Sequence, residues 1–116
     1  MSAYADYIID LLSSWGPATS RRMFGGHGIF RSGVMFALIA DDQLYLKSDS
    51  ETDEAYLQAG SEQFTYSAKG KAINLSYWSA PEVFFEEPDE LAKWADTAFH
   101  AALRADEKKP GKKRKK

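Results

Sequence analysis

The chain reads as an α+β domain: two layers, a mostly antiparallel sheet with helices packed mainly on one face, and a helix at each terminus. Three observations predict this. Apolar residues recur at three- and four-residue intervals near both ends, short strand-like segments fill the middle, and turn residues separate those segments. With 116 residues, 44% hydrophobic and 14% aromatic, there is material for one core without disulfides or metals.

The first helix is predicted over residues 4–15, where Tyr4, Tyr7, Ile8, Leu11, Leu12 and Trp15 form a stripe. Ser2 is placed to cap it, and Gly16-Pro17 stops it. The period then changes to that of strands. Residues 21–24 form a short strand interrupted by Gly25-Gly26, residues 28–31 resume it, and Ser32-Gly33 is a tight turn. Residues 34–40 are almost continuously apolar, as in a central strand covered on most of both faces. Asp41-Asp42 turns the chain into a strand at 43–47, completing a meander.

A short helix is expected at 50–58, capped by Ser50 and ended by Gly60. Strands at 63–67 and 73–78 flank a hairpin tip at Lys69-Gly70-Lys71, and residues 81–86 make a helical turn. Pro88 opens the last helix, predicted to reach about Arg104, with Asp89 and Glu90 complementing its N-terminal dipole. Leu91, Trp94, Ala95, Ala98, Phe99, Ala102 and Leu103 form its buried stripe.

Charge divides the chain. Residues 108–116 hold seven of the fifteen Lys and Arg and none of the seventeen Asp and Glu, which leaves about −9 on residues 1–107. The expected organisation is a folded acidic domain at 1–107 and a disordered basic tail at 108–116. An acidic body repels nucleic acid, so phosphate affinity is expected in the tail, on Lys112, Lys113, Arg114, Lys115 and Lys116. The chain has no cysteine, no basic-then-apolar start, and no apolar run near the roughly 20 residues a membrane helix needs. These features predict a cytoplasmic protein without a membrane segment.

The Gly25-Gly26-His27-Gly28 cluster suggests a phosphate loop, but such loops lead into a helix N-terminus and here a strand follows. The glycines are better explained by a bend, with positive φ at Gly25 or Gly26. Arg21 and Arg22 precede this bend, and strand alternation sends them to opposite faces. One is expected to anchor the loop through an ion pair or backbone carbonyls, the other to meet a partner. Arg21, Arg22, Gly25, Gly26 and Lys47 are therefore the candidates for a partner or anion.

His27 and His100, the only histidines, are too few and too far from other ligand types for a metal site or a catalytic triad. Glu82, Glu86, Glu87, Asp89 and Glu90 read as a solvated helix entry. Tyr45, Tyr66, Tyr77 and Trp78 read as packing residues rather than a base-stacking platform, because the surrounding basic surface is thin. No catalytic residue, metal or cofactor is assigned.

The run from Arg21 to Phe30, the Met35-Phe36-Ala37-Leu38-Ile39 block and Leu44-Tyr45-Leu46-Lys47 resemble the signature of the TfoX N-terminal domain of the TfoX/Sxy family. Tyr77-Trp78 and the later Pro88-Asp89-Glu90-Leu91 segment are also similar, so the resemblance covers roughly residues 3–105. It implies a non-catalytic regulatory or protein-interaction module concerned with competence and transcription. The partner implied is a protein, a transcription factor in the best-known members. Those members carry a second, C-terminal helical domain, where this chain has a lysine-rich end. An alternative reading is a nucleic-acid-associated protein acting through its tail, and an exposed strand edge could also pair two copies.

Overall fold

The computed structural model describes residues 3–23 and 26–108. Helix α1 (Ala3–Leu12) is followed by strands β1 (Thr19–Met23), β2 (Gly26–Arg31), β3 (Val34–Ala40) and β4 (Gln43–Lys47). Helix α2 (Asp53–Gln58) leads to β5 (Gln63–Ala68) and β6 (Lys71–Ser79), then to α3 (Glu82–Glu86) and α4 (Pro88–Lys108). Ser2 as a cap, Phe24, Gly25 and the tail from residue 109 lie outside the described residues.

The six strands form one antiparallel sheet in the order β1-β2-β3-β4-β6-β5. Three hairpins use two-residue turns with both residues at positive φ: Ser32-Gly33, Asp41-Asp42 and Lys69-Gly70. This turn type matches the right-handed strand twist, and Gly and Asp tolerate it best. The meander thus forms as its turn residues predict. The last strand then inserts beside β4 and leaves β5 at the edge.

One face of the sheet carries Ile29, Ala37, Ile39, Leu44, Leu46 and Trp78, all buried. The same core takes Ala5, Ile8 and Leu12 from α1, Tyr56 from α2, Phe84 from α3, and Leu91, Trp94, Ala95 and Ala98 from α4. All four helices therefore share that face. Burial of each large apolar side chain here stabilises the fold by roughly 1.5–3 kcal/mol. Tyr7, part of the predicted stripe, is instead 47% exposed, because the α1 contact line runs through Ala5, Ile8 and Leu12. No helix among the described residues is long and apolar enough to cross a membrane.

Strand β3 is covered on one face rather than on most of both. Phe36, Ala37 and Ile39 are buried, while Met35 and Leu38 are half-buried on the other side. The consecutive burial of Phe36 and Ala37 comes from a bulge: Ile29 faces Ala37 and Phe30 faces Met35, leaving Phe36 as the extra residue. Phe36 packs on Trp15 and Phe99 at ring distances of 5.2 and 5.9 Å.

Two boundaries differ from expectation. Helix α2 starts at Asp53, and Thr52 rather than Ser50 precedes it, with no side-chain cap. Asp49 accepts from the Glu51 amide at 3.1 Å and the Thr52 hydroxyl at 3.3 Å, holding those residues in a turn. Helix α4 continues to Lys108, four residues past Arg104, because no Gly or Pro intervenes before Pro110.

Candidate functional site

Strand β1 is an edge strand, and its register with β2 sets Arg21 opposite Gly28, Arg22 opposite His27 and Met23 opposite Gly26. Gly28 in turn faces Leu38, and Leu38 faces Tyr45. Arg21, Gly28, Leu38 and Tyr45 therefore form one row on the sheet face away from the helices. Arg22 and His27 belong to the helix side, in line with Ile39.

Both arginines are exposed. The Arg21 guanidinium lies 4.9 Å above the Phe30 ring centroid. The alternation is as expected, but the anchoring ion pair is not: among the described residues neither arginine side chain makes a hydrogen bond or salt bridge. At an edge strand with solvent beside it, a guanidinium gains more from water than from a distant carboxylate, and Arg21 uses its flat face on an aromatic instead.

Of the two glycines of which one is expected to hold a positive φ, Gly25 lies outside the described residues. Positive φ among the described glycines occurs at Gly33, Gly60 and Gly70. Gly26 is required by a close approach: a Cβ there would stand 2.0 Å from the carbonyl oxygen of Ile39. The β3 backbone approaches too closely for any side chain. Gly25 and the tail residues Lys112, Lys113, Arg114, Lys115 and Lys116 lie outside the described residues.

Lys47 shares the Arg21 face, since it pairs with Tyr77 and its Nζ lies 5.1 Å from that ring centroid. Burial pushes the Tyr77 hydroxyl up to about 12. Tyr45 meets Phe64 edge-on at 4.7 Å, and burial beside Asp41 and Glu62 raises its hydroxyl as well. This face is thus apolar and aromatic, with the cations Arg21 and Lys47 set into it. The helix-free face was not anticipated as a unit, although the alternation within residues 35–47 carries half of it.

A second polar constellation was also missed. The buried Ser48 hydroxyl donates to Asp53 Oδ1 at 2.6 Å, and Trp78 Nε1 donates to the same oxygen at 3.1 Å. Arg104 donates to both Asp49 oxygens, Nε at 2.7 Å and Nη2 at 3.2 Å. The guanidinium holds the Asp49 carboxyl below the usual carboxylate range. A shallow cleft of about 430 Å³ beside this joint is lined by Glu51, Thr52, Lys93, Asp96, Thr97, His100 and Arg104. Its strongest cation is already engaged by Asp49 and, at 3.4 Å, by Glu51, so the arrangement ties α4 to the β4–α2 loop.

His100 is exposed, with Nδ1 2.9 Å from the Asp96 carbonyl oxygen, and His27 lies on β2. Among the described residues no three His, Cys, Asp or Glu converge as metal ligands. Within the acidic entry to α4, Glu90 accepts from Trp94 Nε1 at 3.2 Å.

The profile of the TfoX N-terminal domain matches residues 10–102. The DNA transformation protein TfoX1 of Aliivibrio fischeri is 30% identical over 91 residues, covering 78% of this chain and 44% of that protein. Protein Sxy of Escherichia coli is 22% identical over 95 residues, covering 82% of this chain and 46% of its own length. The chain spans about half the length of these curated relatives. The matched segment runs from the end of α1 to the buried stripe of α4, and so takes in the whole sheet and the core it builds. This chain belongs to the TfoX N-terminal domain family.

Proposed function

We propose that the chain is a non-catalytic, cytoplasmic protein-interaction module that regulates DNA transformation or the transcription serving it. One observation carries this reading: the sheet face away from the helices presents half-buried apolar residues beside the exposed Arg21, while Ser48, Asp53 and Trp78 are engaged with one another. Arginine and aromatic residues on an apolar surface are the usual anchors of protein contacts. The family, and the name of the Aliivibrio relative as a DNA transformation protein, support the regulatory context.

Affinity capture from the source cells with the full chain tests it, compared with a variant carrying Arg21→Glu and Arg22→Glu. A transcription factor captured by the parent and lost in the variant is the expected result. Turnover of a small substrate by the purified chain overturns the non-catalytic reading.

A second reading rests on the seven Lys and Arg of residues 108–116. The tail then contacts nucleic-acid phosphates while the acidic body limits nonspecific binding. DNA binding that falls steeply with salt and vanishes in a chain ending at Glu107 supports it. Salt-independent binding, or binding that survives truncation, removes it.

A further inference from the structure

Among the described residues the sheet has two free edges, β1 and β5, and they are not alike. Strand β1 carries the exposed Arg21 and Arg22. Like charges on an edge keep a second copy from adding its own strand there. Strand β5, Gln63–Ala68, has no charged residue and no proline. Its outer line is also unbroken. Gln63 faces Trp78 and Thr65 faces Asn74, so the irregularity between them puts its extra residues on β6.

The backbone phase says which groups that edge offers. In an antiparallel pair, alternate residues turn both N–H and C=O toward the partner strand. Ala68 and Lys71 flank the two-residue turn at Lys69-Gly70 and form such a hydrogen-bonded pair. Tyr66 and Ile73 are the next. At the other end of the strand the Ser79 amide donates to the Glu62 carbonyl at 2.8 Å. Even-numbered residues therefore bond to β6, and Gln63, Thr65 and Ser67 turn their backbone groups outward.

We propose that β5 pairs antiparallel with β5 of a second copy, about a two-fold axis at Thr65, joining the two sheets edge to edge. The outward residues dictate the register. With Thr65 opposite itself, Gln63 meets Ser67 on each side, and all three outward residues find outward partners within the strand. A shift of two positions either way leaves one of them facing a residue outside β5. The same register sets Phe64 opposite Tyr66 on both sides of the axis, and aromatic residues directly opposite one another favour pairing. It also brings the exposed Glu62 within one position of the second copy's Lys69.

Charge permits this contact and opposes the alternative. The full chain carries −2, and the charges nearest β5 in sequence are Glu62, Lys69 and Lys71, so the junction itself is not acidic. A two-fold pairing of β1 centred on Arg21 or Arg22 sets one guanidinium against its own copy. A two-fold contact uses one surface twice, which the outward triplet of β5 satisfies because it is symmetric about Thr65.

The test uses the full chain, which has no cysteine. Thr65→Cys places one thiol on the axis, where facing Cα atoms lie about 5.5 Å apart, within disulfide range. Mild oxidation should cross-link it to a covalent dimer roughly tenfold faster than Ser20→Cys on β1. Sedimentation velocity at micromolar to millimolar concentration should show a monomer–dimer equilibrium. Thr65→Lys sets two ammonium groups face to face and should raise the dimer Kd roughly tenfold. Amide hydrogen exchange on the parent needs no variant: the Gln63, Thr65 and Ser67 amides should slow as concentration rises, while those of β1 should not.

The proposal is overturned by a chain that stays monomeric throughout that range, or by slowing at β1 instead of β5. Equal cross-linking of the two cysteine variants, or a Thr65→Lys dimer as tight as the parent's, also overturns it. A Thr-Val repeat peptide that protects the β5 amides as well as a peptide of residues 61–70 does would show a general strand acceptor, with the same consequence. These outcomes leave the protein-interaction reading standing, since its own test is read on Arg21 and Arg22 of the other edge.

Discussion

Arg104 on α4 and Asp49 after β4, 55 residues apart in sequence, are joined by two hydrogen bonds of 2.7 and 3.2 Å. The fork geometry requires a guanidinium, so Arg104→Lys keeps the charge and loses one bond. The pair is partly exposed, with side chains 30% and 21% accessible, and solvent screening holds the expected cost to about 1 kcal/mol. That corresponds to a fall in Tm of about 4–8 °C in thermal denaturation.

The same pair gives the acid limb a definite sign. Arg104 lowers the Asp49 pKa in the folded chain, so its contribution is complete above the unfolded value of about 3.9 and is lost as pH falls through the folded value. In a pH series of melting curves, Asp49→Asn should be less stable than the parent near neutrality. The two curves should converge in strong acid. A constant offset down to pH 2 would show that the effect is packing, not charge.

At high pH the relation reverses. Burial raises the hydroxyl pKa of both Tyr56 and Tyr77, the latter to about 12. Their stabilising share is complete below the unfolded value near 10 and is lost as pH rises through the folded values. Ultraviolet titration should show these two tyrosines ionising late, or only together with unfolding. Tyr56→Phe should remove one late-titrating group.

Gly26 and Gly33 should respond differently to alanine. A Cβ on Gly26 meets the Ile39 carbonyl oxygen at 2.0 Å, a backbone clash that only strand separation relieves. Gly33 has open space around it but φ of +78°. Gly33→Ala should cost about 1 kcal/mol, the ordinary price of that conformation. Gly26→Ala should cost more than about 2 kcal/mol by denaturant unfolding.

Arg31 lies 4.4 Å over Trp15 and 5.5 Å from Phe99, and its Nη1 would be 2.6 Å from a Cβ on Gly16. Gly16→Ala therefore pushes the guanidinium off the rings. The two sites should be non-additive: Gly16→Ala should destabilise the parent by about 1 kcal/mol and be nearly neutral once Arg31→Ala is present. Additive costs would show that the glycine and the guanidinium act independently.

Local chemistry was enough for the α+β class, the β1–β4 meander and the long α4 helix. Gly33, Asp41, Asp42 and Gly70 determine tight turns through backbone geometry alone, and a 3.6-residue period needs no distant contact to be read. Arg21 and Arg22 were placed on opposite faces for the same reason. The insertion of β6 between β4 and β5, the bulge at Phe36 and the close approach of Gly26 to the Ile39 carbonyl were decided elsewhere. So was the pairing of Asp49 with Arg104. Each depends on which strand or helix arrives beside another after the chain has crossed the core. The helix-free face around Arg21 belongs with them. Alternation says which residues share a side, but only packing of all four helices on the other side leaves Phe30, Met35 and Leu38 half in water.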